Sequence, residues 1–192
     1  MQPGKWATVA TVVILTVFGA ASEAHAQIVS FKSIKDAVPG KFFEAATTAP
    51  DPANLNRLLV GFDTGFNPTT FIANDFRASA LAFSNRTAMD TLSFTVKAPT
   101  GFYIAKITYT QRGTGFTGRT AVSAGGAQWV VAGQPFSMGM FSSDPNLSRT
   151  VDLTGSRLTS VPVSITVSLF ASTGSVAVTS ADVIVTVLPL VQ

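Results

Sequence analysis

The stretch Val161-Pro-Val-Ser-Ile-Thr-Val-Ser-Leu-Phe170 decides the fold class. Val161, Val163, Ile165, Val167 and Leu169 alternate with Pro162, Ser164, Thr166, Ser168 and Phe170, which is the period of two of a strand with one buried face. Pro162 has no N–H to give to a ladder, so it belongs at a sheet edge or at the start of its strand. After the turn-like Ser172-Thr-Gly-Ser175, the runs 176–178 and 181–187 are again apolar and β-branched. The two segments are expected to form an antiparallel hairpin that ends the domain.

The same pattern appears upstream. Leu92, Phe94 and Val96 alternate with Ser93, Thr95 and Lys97, and Tyr103, Ala105, Ile107 and Tyr109 alternate with Ile104, Lys106, Thr108 and Thr110. Pro99-Thr-Gly101 lies between them as a turn, so a second hairpin is expected. Residues 113–126 are rich in Gly, Ser and Thr and suit a flexible loop or a polar edge hairpin. Two short strands, 127–132 and 136–141, flank Gly133-Gln-Pro135. Earlier segments are more ambiguous. Asp51-Pro52 could cap a short helix over 52–59, while residues 58–62 suit a strand equally well. Many short strands with frequent turns predict an all-β domain, an antiparallel two-sheet β-sandwich of immunoglobulin-like or jelly-roll-like type.

Residues 1–26 read differently. Lys5 precedes an uncharged apolar run from Ala7 to Ala21, and Ala24-His25-Ala26 places small residues before a cut at Gln27. These are the parts of a secretory signal peptide, helical while it lasts, with cleavage between Ala26 and Gln27. The run is shorter than a bilayer-spanning helix needs. One domain, residues 27–192, is expected to follow, soluble and either periplasmic or extracellular. The chain has no cysteine, which in an exported protein favours a bacterial source.

Composition narrows the chemistry. Cleavage would remove Lys5 and Glu23 together, leaving the net charge of +3 unchanged. Lys and Arg are scattered, with no stripe suited to nucleic acid. Ser and Thr make up 38 of the residues from 27 to 192, against a single Glu, Glu44, a balance that favours strands. The only histidine, His25, leaves with the signal peptide. A Ser-His-Asp triad, a Cys-His nucleophile and a His/Cys zinc site are then all excluded. No catalytic residue and no cofactor is expected. Carboxylates at Asp36, Glu44, Asp51, Asp63, Asp75, Asp90, Asp144, Asp152 and Asp182 are dispersed along the chain and suit turn caps better than a glycosidase pair. Asp63-Thr-Gly-Phe-Asn67 with Asn74-Asp75 is the nearest thing to a calcium-ligand cluster, without EF-hand spacing. Arg112-Gly-Thr-Gly-Phe-Thr-Gly118 has spaced glycines, but strands rather than a helix are expected around it, unlike a phosphate loop.

The stretch Gly101-Phe-Tyr-Ile-Ala-Lys-Ile-Thr-Tyr-Thr-Gln-Arg-Gly-Thr-Gly115, followed by a Gly/Ser/Thr loop and Ala127-Gln-Trp-Val-Val131, resembles exported bacterial β-sandwich proteins, some of the PEP-CTERM surface-sorted type. The sequence departs from that type at Val191-Gln192, where there is no Pro-Glu-Pro motif, apolar tail or basic terminus. The resemblance implies an extracellular or surface structural role and supplies no catalytic residues. Three functions compete. The first is a non-enzymatic structural or interaction protein that recruits protein partners through sheet edges. The second is a carbohydrate-binding module that holds a surface glycan on Trp129, Tyr103 and Tyr109. The third is a carboxylate-based hydrolase.

Overall fold

The structure is a computed structural model and describes residues 28–37, 43–62, 76–80, 86–117, 123–142, 146–171 and 174–190. The signal-peptide segment and its cleavage site at Ala26 and Gln27 lie outside the described residues. So do Asp63, Asp75 and Asp144. In chain order the strands are β1 (Ser30–Asp36), β2 (Ala49–Asp51), β3 (Asn54–Val60), β4 (Phe76–Ala80), β5 (Arg86–Lys97), β6 (Phe102–Thr117), β7 (Ser123–Val131), β8 (Gln134–Ser142), β9 (Leu147–Asp152), β10 (Ser160–Ala171) and β11 (Gly174–Pro189). They form two antiparallel sheets. Sheet one runs β1-β5-β10-β7-β8, and sheet two runs β2-β3-β11-β6-β9 with β4 joined to β11. The chain is the all-β, two-sheet sandwich expected from its alternation. The expected helix over 52–59 does not form: 52–53 are a turn and Asn54–Val60 is strand, with Leu58 and Val60 entering the core while Leu59 stays exposed.

Neither expected hairpin forms. β5 pairs with β10, placing Val96 opposite Val161 and Thr91 opposite Thr166. β6 pairs with β11, placing Ile107 opposite Val185 and Tyr109 opposite Val183. Each chain-adjacent pair is therefore split between the two sheets, and its strands meet through side chains instead of backbone bonds. The connection Ala98–Gly101 shows how this is held. Ala98 N–H donates to Thr159 O at 2.8 Å, and Gly101 O accepts from Leu190 N–H at 2.8 Å. The loop backbone is thus tied to the start of β10 and the end of β11. Gly101 supplies the left-handed turn, with φ of 81°, a conformation that costs a non-glycine residue about 1 kcal/mol. A four-residue link can reach the ~10 Å between packed sheets. The period of two marks which side of a strand is buried and leaves the hydrogen-bonded neighbour undetermined, so the same pattern serves a hairpin or an inter-sheet crossing.

β7 and β8 do pair as neighbours, through Ala132 and Gly133. Both residues have positive φ, 54° and 81°, as a two-residue type I′ turn requires. Pro162 also finds its explanation here. β10 is the central strand of sheet one, so an edge placement is overturned and a place near the strand start is what the chain uses. Pro162 O accepts from Ala132 N–H at 3.0 Å, which aims the backbone of Pro162 toward β7 just where β7 has ended at Val131. The missing N–H therefore removes no ladder bond.

The core fills the space between the sheets. Val161, Val163, Ile165, Val167 and Leu169 of β10 face inward toward the centre of the sandwich, as do Val178, Ala181, Val183, Val185 and Val187 of β11. Each fully buried aliphatic side chain contributes about 1.5–3 kcal/mol. Polar contacts also bridge the sheets. Val29 N–H donates to Asn56 Oδ1 at 3.0 Å, and buried Asp90 of β5 accepts from Phe43 N–H at 3.0 Å. Phe43 is bridged to Phe62 just beyond β3, and their rings stack at 5.6 Å. Between them, residues 44–48 fold tightly over Gly61. Glu44 N–H bonds Gly61 O, and Gly61 N–H bonds Thr48 Oγ1 at 2.9 Å.

Candidate interaction edge

The residues proposed as a ligand platform are not brought together. Trp129 is 1% exposed and Tyr109 is fully buried. They face each other across the core from β7 and β6, with ring centroids 6.3 Å apart, and Phe136 meets Trp129 edge-on at 6.5 Å. The Tyr109 hydroxyl donates to Gln111 Oε1 at 3.0 Å in the same interior. Burial pushes the Tyr109 phenol well above its usual range, and the charge of Asp182 adds to the effect. A ring packed on all sides cannot stack on a sugar, so Trp129 and Tyr109 are core residues. The alternation around Trp129 left its direction open, and the register with buried Ile165 decides it. Tyr103 lies apart from them, opposite Leu188 near the start of β6.

Asp51, Asp90, Asp152 and Asp182 are engaged in structural contacts. Asp182 sits on the outer side of β11 between two guanidinium groups, Arg57 Nη2 at 3.2 Å and Arg112 Nη1 at 3.1 Å. Arg57 also reaches Asp51 at 3.3 Å. The hydrogen bond that Arg57 donates to Asp182 is the chief reason that the Arg57 pKa is raised. Asp90 receives the Phe43 and Thr91 amides. Asp152 caps Thr154 through both its hydroxyl and its amide, which lowers the carboxyl pKa. Among the described residues, no group of three or more His, Cys, Asp or Glu side chains is placed to hold a metal ion. Also among them, no helix is long and apolar enough to cross a membrane.

Among the described residues, the four strands that end the two sheet paths differ in how they are guarded. β1 carries a bulge between Lys32 and Lys35 and a left-handed Ser33. β2 is only three residues long and contains Pro50. β8 contains Pro135 as its second residue and is interrupted opposite Ala127 and Gln128. Bulges, brevity, proline and charge all discourage strand addition. β9 has the fewest of these devices. It pairs with β6 in unbroken register from Lys106–Asp152 to Gln111–Leu147, with no proline, and exposed Arg149 is its main charge besides Asp152.

The direction of the β9 backbone groups follows from one bond. Leu153 N–H donates to Ala105 O at 2.7 Å. In an antiparallel ladder such bonded pairs recur every second residue. Leu147, Arg149 and Val151 therefore aim their backbone groups at β6, while Ser148, Thr150 and Asp152 aim theirs away from it. The side chains of this second set are already ordered. Thr150 pairs its hydroxyl with Thr108 at 2.8 Å, Ser148 pairs with Thr110 at 3.0 Å, and Asp152 lies 3.7 Å from Lys106 Nζ. Sequence reasoning missed β9. Its only signal, Leu147, Arg149 and Val151 alternating with Ser148, Thr150 and Asp152, is weakened by the arginine at an inward position. Comparison with models of known families and with curated protein sequences gave no match.

Proposed function

We propose that this chain works outside the cytoplasm as a non-enzymatic structural or interaction module that joins a partner by strand addition at β9. The observation that carries this reading is the unbroken β9 edge, with the backbone groups of Ser148, Thr150 and Asp152 turned outward. Main-chain bonding supplies affinity in such complexes, and pockets for alternate side chains supply specificity. The signal-peptide pattern of residues 1–26 supports export, and the lack of histidine and cysteine after it supports a non-catalytic role.

The test is a Thr150→Pro variant. It removes one outward N–H and leaves the β6-facing bonds of Arg149 and Val151 in place. Complexes or oligomers formed by the wild-type chain in analytical ultracentrifugation should dissociate in this variant while the far-ultraviolet circular dichroism stays the same. Assembly that survives Thr150→Pro, or a wild-type chain that stays monomeric and captures no partner from its own extracellular fraction, would overturn the reading.

A further inference from the structure

We propose that the outer face of sheet one, on the side of the molecule away from β9, is a binding site for an acidic glycan chain. The face carries a shallow groove of about 330 Å³ lined by Ser33, Ser93, Thr95, Val130, Pro162 and Ser164, among others. The register lays these residues in two rows across the strands. Lys35, Ser93, Ser164 and Val130 form one row, and Lys32, Thr95 and Pro162 form the next. Lys97 stands on the same face two residues beyond Thr95. All three lysines are exposed. Their ammonium groups make no ion pair with any described residue, unlike Lys106, Arg57 and Arg112 on sheet two. Among the described residues, every outward position of β1, β5, β10, β7 and β8 is free of carboxylates.

Two chemistries thus meet on one surface. The lysine line along β1 and the end of β5 offers uncompensated positive charge. The groove beside it is mostly apolar in its lining and carries the Ser93 and Ser164 hydroxyls, held in place by each other. Ser93 donates to Ser164 at 3.3 Å, and outside the groove, two residues farther along the same face, Thr91 and Thr166 share a bond at 2.8 Å. Each such pair uses one hydroxyl hydrogen and keeps a second donor and further lone pairs for a ligand. Their side-chain entropy is already spent, so ordering on binding costs less. A uronate-bearing polysaccharide presents the complementary set, hydroxyls along the chain and a carboxylate at intervals. Nucleic acid would want stacking aromatics and denser charge, and the outward side chains lining this groove include no aromatic ring. The site is distinct from the β9 edge.

The experiment is titration of the full chain with polygalacturonate at low ionic strength, with neutral dextran, single-stranded DNA and phosphatidylserine vesicles as competitors for the assignment. Polygalacturonate should bind, dextran should not, and binding should fade as salt rises, because exposed charges are screened. Lys32→Gln, Lys35→Gln and Lys97→Gln combined should weaken binding about tenfold. Ser164→Asp, which puts a carboxylate into the groove, should abolish it. Arg149→Gln and Thr150→Pro on sheet two should leave it unchanged, which separates this site from the β9 edge. The proposal is overturned by absent polygalacturonate binding, by equal binding of the lysine or Ser164 variants with circular dichroism unchanged, or by DNA or vesicles binding more tightly than polygalacturonate.

Discussion

A pair of cysteines tests the strand pairing on which the whole description of this sandwich rests. The chain has no cysteine of its own, so Thr91→Cys with Thr166→Cys introduces the only thiols. Thr91 and Thr166 are directly opposite on β5 and β10. Thr91 O accepts from Ala37 N–H at 2.8 Å, on the β1 side. The backbone of Thr91 is therefore turned away from β10, and the pair is of the non-hydrogen-bonded kind, whose side chains stand closer. The Oγ1 atoms are 2.8 Å apart, so a disulfide needs little adjustment. The closed loop spans 75 positions, for which loop entropy gives about 4.5 kcal/mol, with any native-state strain subtracting from it. At roughly 2–4 °C per kcal/mol for a domain of this size, Tm should rise by up to about 9–18 °C on oxidation and fall back on reduction. The measurement is calorimetry with and without reductant, with peptide mapping of the crosslink. Ser93→Cys with Lys106→Cys is the control. A β5–β6 hairpin would bring these two close, but here they lie on the outer faces of opposite sheets, farther apart than the ~7 Å between Cα atoms that a disulfide tolerates. Closure of the control, or failure of the Thr91–Thr166 pair to oxidise within the monomer, would refute the assignment of these strands to separate sheets.

Two further outcomes follow from the interior. Gly61→Ala should destabilise the domain by about 3 kcal/mol or more, because an added Cβ would lie 2.8 Å from the Thr47 carbonyl carbon and 2.9 Å from Glu44 O; urea unfolding at the wild-type midpoint would contradict the tight 44–48 crossing. Tyr109 sets an alkaline limit. Its folded pKa is raised by burial, so below about pH 10 the phenol is neutral in both states and stability is unaffected by it. Above that pH the unfolded chain loses the proton first, and stability falls by about 1.4 kcal/mol per pH unit. Tyr109→Phe should lose some stability at neutral pH but show a shallower decline above pH 10 by that one-proton slope; parallel profiles would place the phenol in solvent.

The inward residues were legible because burial imposes a period. Val161 through Leu169, and Leu92 through Val96, face the core as their alternation predicts. The β7–β8 turn was visible in Gly133-Gln-Pro135, because glycine is the residue that accepts positive φ at no cost. Pairing was harder to see. Pro99-Thr-Gly101 is a good turn sequence, but nothing local in it distinguishes a hairpin from a link between sheets. The aromatic residues misled for a related reason. Trp129 has Gln128 and Val130 beside it, so its neighbours do not fix its side, and Tyr109 lies in a strand whose outward face carries Thr108 and Thr110. β9 was invisible because a six-residue edge strand with Ser, Arg, Thr and Asp resembles a polar loop. The groove of sheet one draws on β1, β5, β7 and β10, which are distant in the chain.

By itself, the order of residues determined that this protein is a β-sandwich and which side chains of its long strands are buried. Those follow from short-range periodicity and from residue types, and both are local properties. Only the tertiary structure decided that β5 joins β10 and β6 joins β11, that Trp129 and Tyr109 close the core, and that Lys32, Lys35 and Lys97 line one side of a hydroxyl-bearing face while β9 is left as the least guarded of the four strands that end the sheet paths. Those depend on hydrogen bonds between segments far apart in the chain, such as Ala98 with Thr159 and Gly101 with Leu190. Backbone N–H and C=O groups are alike in every residue but proline, so the amino-acid pattern can mark a strand without naming its neighbour.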